Sequence, residues 1–272
     1  MTMSLPKKIG FYSLLSISAL IMFFPVLYAL MISFMTGAEI MQGNIFPKSI
    51  HFDNYIRVFD RIPLFEYVIN SFIVSIGVMI GQLVVCSLAA YAFVFIPFRG
   101  STVIFYLFIS TMMIPWEATM IPNFLTIQKL NWLNTYQGLT MPFFALAFGT
   151  FLLRQHFKTI PIELFEASKV AGIRRFGFFW RVIVPMSKTS LVTLGAYGFL
   201  TTWNMYLWPL LTTTNNSVRT VQIGLKQLQS QETATEWGVV MAGVMIVIIP
   251  TLLLLFLGQK QLQKGLSQGA LK

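Results

Sequence analysis

At 272 residues, 56% of them hydrophobic and only 10% charged, with 26 Phe and a mean hydropathy of +0.72, the chain cannot clothe a water-soluble surface, since a soluble domain carries about 25% charged residues. This excludes a soluble enzyme and points to an integral membrane protein. The net charge of +10 is dispersed rather than gathered into a nucleic-acid-binding tail, and one cysteine (Cys86) with two distant histidines (His51 and His156) supplies neither a disulfide nor a metal cluster.

Charge-free apolar runs predict six transmembrane helices, near 11–34, 70–96, 103–124, 135–153, 190–211 and 238–258, each close to the roughly 20 residues that cross a bilayer. The first follows Lys7 and Lys8 and is too long for a signal-peptide core, so it reads as an uncleaved helix. The third joins two runs across Glu117. All are too long and too continuously apolar for the strands of a barrel. The expected fold class is all-α: a polytopic membrane protein forming one transmembrane domain over 1–272, with a cytoplasmic pair of short helices in a loop at 154–188.

Six crossings leave both termini on one side. With that side inside, 13 of the 19 Lys and Arg fall in inner segments, among them Arg99, Arg154, Lys158, Arg174, Arg175, Arg181 and Lys188. The positive-inside rule then places both termini in the cytoplasm.

In the loop after the fourth span, Thr159 is expected to cap a helix with Pro161 in its first turn and Glu163 at the positive end of the dipole. Leu164, Ala167, Val170 and Ala171 form an apolar face at helical spacing. Gly172 is expected to end that helix at positive φ. A second short helix carries Phe176, Phe179, Trp180 and Ile183 on one side, and Pro185 closes it. Helices this short need support. The pattern fits a partner's groove and a lipid surface equally well.

Glu166-Ala-Ser, then Gly172, Phe179 and Pro185, resembles the EAA signature of permease subunits in binding-protein-dependent ABC importers. Ser168 stands for the signature's third Ala and Ala171 for its Asp. Trp203-Asn-Met-Tyr-Leu-Trp-Pro-Leu210 is similar to the fifth-helix pattern of carbohydrate-uptake permeases of the MalG type. Met113-Ile-Pro-Trp-Glu117 with Pro122, Asn70-Ser71, Ala90-Tyr91-Ala92 and Phe151-Leu-Leu-Arg-Gln155 fit the same group.

The resemblance implies a subunit of a bacterial or archaeal cell membrane that pairs with a second, similar permease, two cytoplasmic ATPase subunits and an extracytoplasmic solute-binding protein, amid membrane lipid. It implies ATPase coupling through Glu166, Ala167, Gly172, Phe179 and Pro185. The chain has no P-loop, so no cofactor is expected on it, and ATP and Mg belong to the partner ATPases. Its spans hold almost no ionisable group, unlike an ion-driven pump. Asn204, Tyr206 and Trp208 are candidates for the substrate pathway, although each is equally explained as helix packing. The polar segment Thr212–Glu236, with a short helix through Gly224, Leu225, Gln227 and Leu228, reads as a connector; by resemblance it reaches into the docked binding protein. A neutral sugar or oligosaccharide is the expected solute and glycerol-3-phosphate the alternative. A secondary transporter is the rival class, and no catalytic constellation supports a membrane enzyme.

Overall fold

The computed structural model describes residues 5–229 and 236–270, with side chains over 8–229 and 236–256. Residues 230–235 of the predicted loop after the fifth span, Lys272 and the side chains of Lys7, Lys260 and Lys264 lie outside the described residues. Among those described, the regular elements are all helical. They are α1 (Leu5–Ser33), α2 (Gly37–Met41), α3 (Asp53–Arg61), α4 (Leu64–Phe95), α5 (Ser101–Ser110), α6 (Trp116–Lys129), α7 (Tyr136–Thr140), α8 (Ala147–Phe157), α9 (Ile162–Val170), α10 (Arg175–Phe178), α11 (Val184–Met186), α12 (Lys188–Trp203), α13 (Leu207–Thr212), α14 (Val221–Gln229) and α15 (Trp237–Ala270). A π-helical turn, Phe179–Ile183, joins α10 to α11.

The predicted spans divide into unbroken and broken ones. Lys8–Ser33, Leu64–Phe95 and Trp237–Phe256 are each long and apolar enough to cross a membrane. The third predicted span bends by 100° between Ser101–Met113 and Trp116–Lys129, and the fourth by 47° between Tyr136–Phe143 and Ala147–Phe157. Pro115 sits in the first break, and Pro142 lies in the 3-10 turn Met141–Phe143 that leads into the second; the missing N–H and the ring of proline disfavour a continuing α-helix. The fifth is divided at Asn204–Tyr206 into α12 and α13. At 16 residues, α12 is about 24 Å long, short of the ~30 Å hydrocarbon core on its own.

The described residues fall into two compact units, 5–65 with 224–229 and 236–249, and 66–223 with 250–270. In the first, Thr36 and Glu39 close a capping box on α2, and Asn54 Nδ2 donates to the carbonyls of Ser33 and Met35 at 3.0 and 2.9 Å, catching the chain as it leaves α1. Arg57 and Arg61, one turn apart on α3, both pair with Glu236.

The second unit is organised along α4, 32 residues long and so about 48 Å. Breaks inside a membrane free backbone groups that need partners, and α4 supplies them: Gln82 Nε2 donates to Phe143 O at 3.0 Å, and Cys86 Sγ approaches Leu146 O at 3.4 Å. Gln82 also lies against Gly198 of α12, where any Cβ would run into its Oε1. Glycine there lets α4 and α12 touch.

Candidate functional site

Two clamps form on opposite ends of α4. At its C-terminal end, Cys86, Ala90, Tyr91 and Phe95 share a buried core with Leu153, Phe157, Phe165, Phe178, Phe179 and Ile183. The rings of Phe95, Phe165 and Phe178 meet at 5.1–5.6 Å, and Tyr91 packs on Phe179 at 5.2 Å. The Tyr91 hydroxyl donates to Arg175 O at 2.8 Å. This core holds α9 and α10 on the body of the unit by their aromatic side chains.

The helix ending at Gly172 has the geometry expected of it. Gly172 has φ +71°; its N–H donates to Lys169 O at 3.0 Å and that of Ile173 to Ser168 O at 2.8 Å. These are the two bonds of a Schellman motif. A Cβ at Gly172 would meet nothing within 4 Å, so conformation rather than space reserves the position for glycine. Ser168, in the signature's third Ala position, is buried and returns its hydroxyl to Phe165 O at 2.7 Å.

Three local expectations are corrected. Thr159 does not cap α9: its hydroxyl donates to His156 O, and Pro161 occupies the N-cap, where its ring presets the turn. The apolar face read on α9, Leu164, Ala167, Val170 and Ala171, is left outward, and it is Phe165 and Ser168 that turn inward, where the rings of Phe95 and Phe178 hold Phe165. Of the second predicted face, Phe179 and Ile183 are buried and Phe176 and Trp180 exposed. The π-turn explains both this division and Pro185. Its wider pitch closes with Val184 N–H to Phe179 O, so the helical path continues through Pro185 in α11 instead of stopping there. Glu166 is exposed and takes part in neither ion pair found among the described residues.

At the N-terminal end of α4 the clamp is polar. Asn70, 4% exposed, donates through Nδ2 to Ser217 O (3.0 Å) and Arg219 O (3.1 Å), and its Oδ1 accepts from Tyr136 OH at 2.6 Å. Tyr67 OH donates to Asn216 Oδ1 at 2.9 Å, and Ser71 Oγ accepts from Val221 N at 2.8 Å. Across the segment, Asn134 Oδ1 accepts from Thr214 N at 2.7 Å and Asn215 N at 3.2 Å. Asn134 is left-handed, φ +56°, a conformation asparagine tolerates better than most residues. The expected short helix is α14. Its approach, 213–220, is a stapled segment rather than a loose connector.

The three pathway candidates separate. Asn204 is exposed at the end of α12, its Nδ2 donating to Leu200 O at 2.8 Å, and Tyr206 is half-buried in the break. Trp208 is fully buried, donates Nε1–H to Gly138 O at 3.0 Å, and packs among Trp116, Phe143, Met120 and Leu139. In this conformation Trp208 is interior packing and presents no lining surface.

Residues 82–268, which include the α9–α11 element, match the family described as binding-protein-dependent transport system inner membrane component. The chain belongs to that family. This permease is 33% identical over 262 residues to the sn-glycerol-3-phosphate transport system permease protein UgpE of Yersinia pestis bv. Antiqua (strain Antiqua), covering 93% of each chain. It is 34% identical over 263 residues to the protein of that name from Rhizobium meliloti (strain 1021), again with 93% of each covered. Its fold matches a chain in the crystal structure of a bacterial ABC transporter involved in the import of the acidic polysaccharide alginate, with a TM-score of 0.85 and 25% identity over 96% of this chain and 99% of that one. The permease is thus a multi-pass membrane component of an ABC import system, and its family is one of transport rather than catalysis.

Sequence reasoning missed Phe165, Phe178 and Asn70 as the groups that seat the two clamps. An asparagine in the first turns of an otherwise apolar helix was the available signal for Asn70, since a buried amide needs partners.

Proposed function

We propose that the permease crosses the membrane six times with both termini in the cytoplasm, counting each bent pair and α12 with α13 as one crossing. It forms half of a translocation pathway with a second permease and takes its power from two ATPase subunits that bind ATP and Mg. The observation that carries the reading is the outward face of α9: Glu166 beside Leu164, Ala167 and Val170, exposed on a helix fixed from behind by Phe165 and terminated by Gly172. An apolar face with an acid, on a helix that cannot reorient, suits a cleft on a partner.

The segment stapled by Asn70 and Asn134 is proposed to face the solute-binding protein on the outer side, with Asn204 and Tyr206 at the pathway. The solute is proposed to be a sugar or oligosaccharide. The names of the 33–34% identical relatives favour sn-glycerol-3-phosphate as the second reading. Reconstituted complexes carrying Glu166→Lys test the coupling role: insertion should persist while solute-stimulated ATP hydrolysis and transport fall. Wild-type rates in an assembled Glu166→Lys complex would remove α9 from the coupling path. Shortening 215–229 should weaken stimulation by the binding protein and leave basal hydrolysis intact. A cysteine at Lys188 should be labelled only from the cytoplasmic side.

A further inference from the structure

The motif Phe151-Leu-Leu-Arg-Gln155 contains a cation that neither clamp uses. Arg154 lies over the ring of Phe105 on α5, its Cζ 3.8 Å from the centroid. That contact orients the guanidinium and leaves it without a counter-charge: Arg154 is in neither of the ion pairs found among the described residues, and its Nε is buried with no hydrogen-bond partner among them. Lys158 follows one turn later at the exposed C-cap of α8. Desolvation and then the charge of Arg154 hold its amine below the ordinary lysine range. Two like charges at this spacing repel, so the structure keeps a small positive site that an external anion would relieve.

The surroundings say how deep that anion sits. Phe151 precedes Arg154 and Lys158 at helical spacing on α8, and Tyr106, next to Phe105 on α5, is 66% exposed. Exposed apolar surface and two cations therefore stand side by side. A molecule with an anionic head and hydrocarbon tails matches both parts.

We propose that Arg154 and Lys158 form a binding site for the phosphodiester of an anionic glycerophospholipid, its acyl chains lying along Tyr106 and Phe151. Arg154 offers donors held in place by Phe105, and Lys158 adds a mobile ammonium at the headgroup level.

The test is retention of lipid by the assembled importer, released from nanodiscs of phosphatidylcholine with or without phosphatidylglycerol and weighed by native mass spectrometry. Phosphatidylglycerol should stay bound in preference to phosphatidylcholine. Lys158→Gln, which leaves the Arg154–Phe105 contact untouched, should lower that retention about fivefold, the worth of one basic residue at an anionic surface. Arg154→Gln with Lys158→Gln should abolish the preference, Arg154→Lys should restore part of it, and free glycerol phosphate should not displace the bound lipid. Three results would overturn the proposal: equal retention of both lipids, retention indifferent to Lys158→Gln, or loss of partner subunits by the double variant in both lipid compositions, which would mean a contact between protein subunits. Displacement by free glycerol phosphate would make the site one for soluble phosphate and would equally reject the lipid.

Discussion

The two ends of α4 solve one problem with different chemistry. At one end an irregular chain is held by rings: Phe95, Phe165, Phe178 and Phe179 interlock, and Tyr91 adds a single side-chain hydrogen bond to backbone. At the other, amides and hydroxyls do the holding, with Asn70 alone serving three partners. Asn70 and Tyr91 stand about 30 Å apart along one helix, close to the thickness of the hydrocarbon core. Apolar packing is non-directional and, once interdigitated, resists compression, so this end is held by shape rather than by aimed bonds. Hydrogen bonds are directional, so the other end fixes the orientation of the segment it holds.

The sharpest way to break this comparison is to remove the ring at the centre of the first clamp. Phe178 is fully buried against Tyr91, Phe95 and Phe165, so Phe178→Ala should cost about 3–5 kcal/mol. Protease cleavage should rise between Ile162 and Ile183 while cleavage in 213–220 stays at the wild-type level. Equal loosening at both ends would show that the clamps are not independent.

Asn70→Ala probes the other end. It strands the Ser217 and Arg219 carbonyls and the Tyr136 hydroxyl, a loss of about 3 kcal/mol. Hydrogen exchange should accelerate at 214–221 and binding-protein stimulation should fall, with α9 protection unchanged. Asn70→Asp should fail nearly as badly, because a carboxylate cannot donate to the two carbonyls; a fully active Asp variant would mean that the segment is held by something else.

Gly172→Val comes next, at about 1–2 kcal/mol for a side chain forced into the left-handed region. Its effect should fall on the alignment of α9 and appear as lost ATPase stimulation in a chain that still inserts. Gly172→Asn, tolerant of the same φ, should recover most of the activity.

How much of this could be read beforehand follows from the range of each interaction. Gly172 was legible because a helix stop is local: an αL residue and two backbone bonds within six residues decide it. The helical class was legible from composition, since a bilayer admits few alternatives to a helix. The inward face of α9 was not, because Leu164 and Phe165 are both apolar and only the distant rings of Phe95 and Phe178 choose between them. The fate of Pro185 was hidden for a related reason: a π-turn absorbs the proline, and nothing in the five residues Phe179–Ile183 announces the extra residue. Trp208 and Asn204 shared one motif, yet Gly138 O, 70 residues away, draws the first inside while the second stays exposed.

The clamps are held mainly by neutral groups: the cations at them, Arg219 donating to Asn216 Oδ1 and Thr214 O and Lys169 over the Phe165 ring, face neutral partners and stay charged in mild acid, so salt and mild acid should change the clamps little, and the first unit supplies an ion-paired contrast. Glu236 is partly desolvated, which alone would raise its pKa, but the hydrogen bond and charge of Arg61 with the charge of Arg57 hold it below the ordinary value of 4.5. A carboxylate whose folded pKa is depressed contributes in full above its unfolded value and loses that contribution as pH falls through the folded one. The gain should therefore be complete above about pH 4.5 and fade below it. With Glu236 37% exposed and Arg57 44% exposed, screening keeps the pair within about 1 kcal/mol. Glu236→Gln should accordingly give the smallest effect of the series: slightly faster exchange along α3, abolished as a difference from wild type in high salt and at low pH. The same titration should leave exchange at 165–183 and 214–221 flat, and a salt or acid dependence at either clamp would mean that charge, rather than rings or amides, holds it.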